Sequence, residues 1–120
     1  MQPEETVLRV LERLDDDGSV VLAIQGELDL GTADTLASHL TGLCHGATAV
    51  TVDLRRVDFI DCVGLRLLLD LNAEGLEAGC PVVFIQGPPT VERLFELTGT
   101  LGLLKFAGTA ARVRAGASSA

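Results

Sequence analysis

Residues 51–71 constrain the fold of this chain more than any other segment, because they join an apolar strand through a short loop to an amphipathic helix. They read TVDLRRVDFIDCVGLRLLLDL, and the helix is predicted to begin near Val63. The first turn of a helix presents free backbone N–H groups and the positive end of the helix dipole. The junction Asp61-Cys62-Val63-Gly64-Leu65 is therefore suited to hold an anion or a reactive side chain, and Cys62 places a thiol there.

The pattern before this segment predicts a β-hairpin and then an amphipathic helix. Two apolar runs, 6–14 and 19–25, flank the turn sequence Asp15-Asp16-Asp17-Gly18. Apolar residues then recur at helical spacing over 33–44, with Thr32 as the expected N-cap and Gly46 as the expected end of the helix. A largely buried strand is predicted over 48–54.

The pattern after the junction predicts alternating helices and strands. The central helix should run from about 63 to 78, and its predicted core residues are Leu65, Leu68, Leu69 and Leu76. A strand at 82–85, a helix that begins at Pro88-Pro89 and a last short strand at 103–106 follow. The order ββαβαβαβ predicts an α/β fold with a mixed central sheet of about five strands and three to four helices.

The length of 120 residues fits one domain with one hydrophobic core. Hydrophobic residues make up 48% of the chain and charged residues 22%, which favours a packed globular protein. The predicted domain spans residues 1–112. The small residues that dominate the C-terminal end predict a flexible tail over 113–120.

The net charge of -8 bears on the partners that the chain can bind. It repels nucleic acid and anionic lipid surfaces, so a protein or a small ligand is the favoured partner. Residues 1–14 contain Glu4, Glu5, Arg9 and Glu12, which leaves no uninterrupted apolar stretch for a secretion signal or a membrane span. We therefore expect a cytoplasmic protein without membrane insertion.

The reactive side chains predict neither a metal site nor an enzyme. Cys44, Cys62 and Cys80 are odd in number and match no zinc-ligand spacing, which indicates free thiols without a disulfide. The sequence shows no Ser-His-Asp set, no phosphate-binding glycine loop and no metal-ligand cluster. We expect no cofactor and no catalytic residues.

Three motifs give the chain a resemblance to a known family. They are Gly26-Glu27-Leu28-Asp29 after a strand, Asp53-Leu54 followed by Phe59-Ile60-Asp61-Cys62-Val63-Gly64-Leu65, and the run VERLFELTG over 91–99. Together they resemble the STAS domain of bacterial anti-sigma factor antagonists, over residues 7–112. The resemblance implies a partner-switching protein that binds an anti-sigma factor, often itself a serine kinase, and so frees a sigma factor. The resemblance is also compatible with a homodimer.

The resemblance also implies where the partner binds and where regulation acts. In the family, the phosphoacceptor is a Ser or Thr directly after the motif aspartate, a position that Cys62 occupies here, and Val63 replaces the second serine. The implied partner-binding residues are Asp29, Asp61, Cys62, Val63, Gly64 and Leu65. Because neither Cys62 nor Val63 has a hydroxyl, the usual phosphorylation switch is expected to be missing.

Alternatives stay open for Cys62, for Thr32 and for the partner. Cys62 is a small residue that preserves the shape of the helix start, or a redox-sensing thiol at the positive end of the helix dipole. A third interpretation, metal or covalent ligand binding, lacks support because neither His39 nor His45 is placed in sequence to share a site with it. Thr32 is a hydroxyl near the same end of the sheet that could accept phosphate instead, although helix capping also explains it. A STAS subunit that binds the ATPase of an ABC transporter is a different function compatible with the same chain.

Overall fold

The computed structural model of the protein describes residues 8–107. The strands are β1 (Leu8–Leu14), β2 (Val20–Leu28), β3 (Val50–Ile60) and β4 (Val82–Ile85). The helices are α1 (Ala33–Leu40), α2 (Leu43–Gly46), α3 (Cys62–Ala78) and α4 (Pro89–Thr98), and a 3₁₀ turn covers Leu101–Leu103. The first predicted hairpin residues at 6–7, the domain boundary at 112 and the tail at 113–120 lie outside the described residues.

The strands form one mixed sheet in the order β1-β2-β3-β4. β1 pairs antiparallel with β2 across the predicted hairpin turn, whereas β2, β3 and β4 run parallel. Parallel neighbours need a crossover connection, which α1 and α2 supply between β2 and β3 and α3 supplies between β3 and β4. The predicted α/β fold with a mixed sheet is confirmed.

The predicted fifth strand at 103–106 is wrong, because the sheet of the described residues has four strands. Leu101–Leu103 forms a 3₁₀ turn, and Phe106 reaches the sheet only as a single bridge to Phe84. The Phe106 ring lies 5.9 Å from the ring of Phe84 and 5.6 Å from that of Phe95, measured between ring centres. The backbone N–H of Phe84 donates to the carbonyl oxygen of Lys105, and that of Ala107 donates to the carbonyl oxygen of Phe84, both at 2.8 Å. These two hydrogen bonds and the aromatic packing hold the segment, but the pairing does not extend into a strand.

The predicted single helix between Thr32 and Gly46 is divided in two. Gly42 takes a left-handed conformation with φ of 75°, so α1 ends before it and α2 is a single turn after it. Thr32 stands at the N-cap position of α1, but its side chain makes no capping hydrogen bond. Its Oγ1 donates to the carbonyl oxygen of Glu27 at 2.7 Å instead, so the predicted capping role is wrong.

β3 is longer than the predicted strand, which ended at Leu54. Two register shifts against the second half of β2 absorb the residues that interrupt the apolar pattern. Val57 and Ile60 therefore still face the core, and both are buried. The extension brings the carboxyl end of β3 level with the carboxyl end of β2.

α3 packs on the sheet through its predicted apolar face, but only in the first half of the helix. Leu65 and Leu68 are buried and Leu69 is half-buried, but Leu76 is 74% exposed, so its predicted core position is wrong. The backbone at Gly75 sits so close to the segment before β4 that a Cβ there would lie 2.5 Å from a backbone oxygen. Gly75, and not Leu76, therefore faces the sheet at this end of α3. No helix within residues 8–107 has the length and apolar character needed to cross a membrane.

The described helices all pack on one face of the sheet. Their buried side chains form a single cluster with the inward residues of the strands, and Cys44 and Cys80 belong to it. All three cysteines are free thiols. On the opposite face, Val21, Ala23 and Thr51 are half-buried and lie outside this cluster.

Candidate functional site

The carboxyl ends of β2 and β3 lie side by side, and α3 begins directly after them. Leu28 pairs with Ile60, and the backbone N–H of Asp61 donates to the carbonyl oxygen of Leu28 at 3.0 Å. α3 starts at the next residue, Cys62. Ligand and partner sites of open α/β sheets commonly form at this edge, outside the carboxyl ends of the strands.

Asp61 caps α3 and binds the neighbouring loop at the same time. Its Oδ1 accepts hydrogen bonds from the backbone N–H groups of Val63 at 2.9 Å and Gly64 at 3.0 Å, which is the geometry of an N-cap. Its Oδ2 accepts a hydrogen bond from the backbone N–H of Leu30 at 3.1 Å. The carboxylate therefore already occupies two of the N–H groups that would otherwise attract an external anion to this helix start.

Asp29 and Thr32 fold the loop between β2 and α1. The Oδ1 of Asp29 accepts a hydrogen bond from the backbone N–H of Thr32, and the Oγ1 of Thr32 accepts one from the backbone N–H of Asp29, both at 3.1 Å. Thr32 is only 5% exposed. Its hydroxyl is therefore committed to the loop and is not presented to a kinase.

Gly64 and Leu65 face inward and set the position of α3. A Cβ at Gly64 would lie 2.5 Å from the carbonyl oxygen of Leu28 and 2.8 Å from its Cβ, so a glycine is required for α3 to approach the end of β2 this closely. Leu65 is 4% exposed and belongs to the core. Of the six predicted partner-binding residues, these two support the site from beneath.

A group of solvent-facing side chains surrounds the start of α3. Cys62 is exposed and Val63 is 37% exposed, and two apolar residues beside them are more exposed still: Leu30 at 75% and Phe59 at 49%. We call Leu30, Phe59, Asp61, Cys62 and Val63 the entrance surface. Several exposed apolar side chains near one edge of a sheet are typical of interaction sites.

Sequence reasoning missed Leu30 and Phe59. A signal for Phe59 was present, because side chains of a strand alternate between its faces and the following Ile60 takes the core position. Leu30 gives no comparable signal. Its exposure depends on the fold of the loop that Asp29 and Thr32 hold together.

The chemistry of the entrance surface suits a protein partner. Glu27 pairs with Phe59, and Asp29 and Asp58 adjoin Leu30 and Phe59 in sequence, so carboxylates lie next to its exposed apolar residues. Neither Cys62 nor Val63 supplies a hydroxyl for esterification. Residues 8–107 contain no group of three or more His, Cys, Asp or Glu side chains arranged to hold a metal ion.

Comparison with known proteins agrees with this architecture. The family model described as "Mlab, STAS domain" matches residues 2–105. A relative is BtrV of Bordetella bronchiseptica, whose name assigns it to the anti-sigma factor antagonists; it is 28% identical over 94 residues, 78% of this chain and 81% of BtrV.

Solved structures of the same class superpose well. An anti-sigma factor antagonist from Mycobacterium paratuberculosis gives a TM-score of 0.79 at 25% identity, covering 92% of this chain and 94% of that one. The unphosphorylated Bacillus anti-sigma factor antagonist SpoIIAA gives 0.72 at 20% identity, covering 89% and 97%. Since the family model spans nearly the whole sequence and the fold agrees with it, this chain belongs to the STAS domain family.

Proposed function

We propose that this protein is an anti-sigma factor antagonist that acts in the cytoplasm and binds a kinase-like anti-sigma factor through the entrance surface. The observation that carries the proposal is the exposed apolar group of Leu30, Phe59 and Val63 around Asp61, at the start of α3 in a STAS chain. The names of BtrV and of the Mycobacterium protein support the same class of partner.

The regulation that we propose differs from a phosphorylation switch. SpoIIAA has also been solved in a phosphorylated form. Phosphate esters form on hydroxyl oxygens, and at the start of α3 this chain has Cys62 and Val63. Thr32 does not replace the missing hydroxyl, because it is buried and bonded to the loop. The protein should therefore stay competent to bind its partner.

A titration with matched variants tests the binding surface. The protein is titrated by calorimetry against each anti-sigma factor of its source organism, and one of them should bind. Leu30→Glu places a charge in the apolar centre and should weaken binding by at least about thirtyfold, the loss typical of a central interface residue. Leu76→Glu is the control, because Leu76 is equally exposed but lies near the other end of α3. Equal losses in both variants would contradict the proposed surface.

Mass spectrometry tests whether the protein lacks the phosphorylation switch. The partner that binds is incubated with ATP and either the unchanged protein or Cys62→Ser. We expect no phosphate on the unchanged protein and one phosphate on the variant, because serine restores a hydroxyl at the exposed start of α3. Phosphate on the unchanged protein that abolishes binding would overturn this part of the proposal.

A further inference from the structure

Two arginines lie in one row on the face of the sheet that no described helix covers. Arg9 in β1 pairs with Gln25 in β2, and Gln25 pairs with Arg56 in β3. Gln25 follows the buried Ile24, so this row points away from the core. Adjacent strands are about 4.8 Å apart, which places the two arginine backbones about 10 Å from each other.

Neither arginine of this row forms an ion pair with a carboxylate of residues 8–107. Arg13 pairs with Asp15 at 3.0 Å and Arg55 pairs with Asp53 at 2.8 Å. Within residues 8–107, the guanidinium groups of Arg9 and Arg56 have no carboxylate within ion-pair distance. Both residues are exposed. Within residues 8–107, this face therefore presents two arginines without a direct ion-pair partner, although the charge of Asp53 acts on Arg56 from a longer distance.

The neighbouring row adds an apolar contact beside these charges. It consists of Leu11, Ala23 and Asp53, and Leu11 is 57% exposed. A cavity of about 270 Å³ lies between the two rows. Its lining residues are Leu11, Ala23, Ile24, Gln25, Asp53 and Arg56. The Asp53 carboxylate in this lining is already matched by Arg55.

We propose that this face docks an acidic, extended segment of a partner protein. Carboxylates on one side of an extended segment are about 7 Å apart, so two of them can engage the long side chains of Arg9 and Arg56 together. The Gln25 amide lies between them, and an apolar side chain of the segment fits beside Leu11.

Charge selects this occupant over other anions. Nucleic acid and anionic lipid surfaces are extended polyanions that the net charge of -8 repels. A short acidic segment makes close contacts instead, and at physiological salt the repulsion from carboxylates farther than about 8 Å is screened. The row lies on the open face of the sheet, next to the pair of Glu27 and Phe59, and the proposal does not depend on the proposed function.

Peptide binding tests the proposal. The probe is a fluorescein-labelled peptide in which Glu alternates with Ser and Leu, and the control peptide has Lys in place of Glu. Anisotropy of the full-length protein should show binding of the Glu peptide alone. Arg9→Glu and Arg56→Glu should each weaken it by at least about tenfold, the factor that one lost charged contact produces. Arg93→Glu is the charge-matched control, on the exposed surface of α4.

The variants and the control peptide distinguish a specific docking face from a general effect of charge. Backbone and side-chain amide shifts of Gln25 on peptide addition, unchanged binding in Leu30→Glu and loss in Arg56→Glu would support the docking face. Absence of binding, equal losses in Arg56→Glu and Arg93→Glu, or equal binding of the Lys peptide would overturn it. Self-association of the unchanged protein that Arg56→Glu abolishes would assign the face to a second copy of the chain and would also overturn it.

Discussion

The Oδ2 of Asp61 accepts the backbone N–H of Leu30 at 3.1 Å, so one carboxylate joins the start of α3 to the loop after β2. Its Oδ1 is bonded to two N–H groups of the helix. The side chain that defines the family motif is thereby a structural clamp. Asp61 thus connects the loop that carries the exposed Leu30 to the helix start that carries the exposed Val63.

Substitutions of Asp61 test its two roles separately, the helix cap and the hydrogen bond from Leu30. Asp61→Ala loses the cap and should lower the free energy of unfolding by about 1–2 kcal/mol, measured in urea. Asp61→Asn keeps an oxygen that can cap the helix, but it presents an NH₂ group to the backbone N–H of Leu30. An NH₂ group cannot accept that hydrogen bond. Hydrogen exchange of the Leu30 amide should then accelerate while the Gly64 amide stays protected. Unchanged exchange at Leu30 would contradict the role of Oδ2.

Gly64→Ala tests the close approach of α3 to β2. The added methyl would stand 2.5 Å from the carbonyl oxygen of Leu28, so α3 must shift, and we expect a loss of about 1–3 kcal/mol in unfolding free energy. Gly46→Ala is the control, because no atom lies within 4 Å of its Cβ position. It should be neutral or slightly stabilising. Equal effects of the two substitutions would refute the packing argument.

Local patterns predicted the elements that depend on local chemistry. The apolar spacing of the first half of α3 and its end at residue 78 were predicted because neighbouring residues decide them, whereas the cap that Asp61 forms was not predicted. The break at Gly42 was missed, because Gly46 is an equally good terminator from sequence alone. Such choices depend on how the chain packs afterwards.

Long-range contacts explain the remaining differences. Gly75 takes the sheet side at the end of α3, where its backbone contacts the segment before β4, and Leu76 is exposed. Phe106 packs on two phenylalanine rings and pairs with Phe84 at a single bridge. The exposure of Leu30 depends on a hydrogen bond to Asp61, which is distant in sequence. The motif residues of the candidate site were thus predicted, but two of its three exposed apolar residues, Leu30 and Phe59, were not.

The three thiols should differ sharply in reactivity. Cys62 is exposed, whereas Cys44 and Cys80 are 3% and 2% exposed. Burial, followed by the neighbouring Cys80, raises the pKa of the Cys44 thiol to about 11. Because the thiolate is the reactive form, iodoacetamide at neutral pH should add once to the native protein, at Cys62, and to all three cysteines after unfolding. A second native adduct formed as fast as the first would contradict the packing of Cys44 and Cys80.

The ion pair between Asp53 and Arg55 should make stability depend on pH. Partial burial of Asp53 acts to raise its pKa, but the hydrogen bonds from Arg55 outweigh it and hold the pKa below its ordinary value. A depressed pKa contributes stability above the unfolded value of about 3.9, and this contribution disappears as the pH falls through the folded value.

Two arginine variants measure that contribution. Arg55→Gln should lower the free energy of unfolding by up to about 1 kcal/mol at neutral pH, because Arg55 is half exposed and solvent screens the pair. The difference from the unchanged protein should vanish at acid pH, where Asp53 is protonated in both. Arg56→Gln should have a smaller effect, since Arg56 acts on Asp53 through charge alone. Urea titrations across this pH range measure both variants. The same loss of unfolding free energy in both would show that the Asp53–Arg55 ion pair has no specific effect on stability.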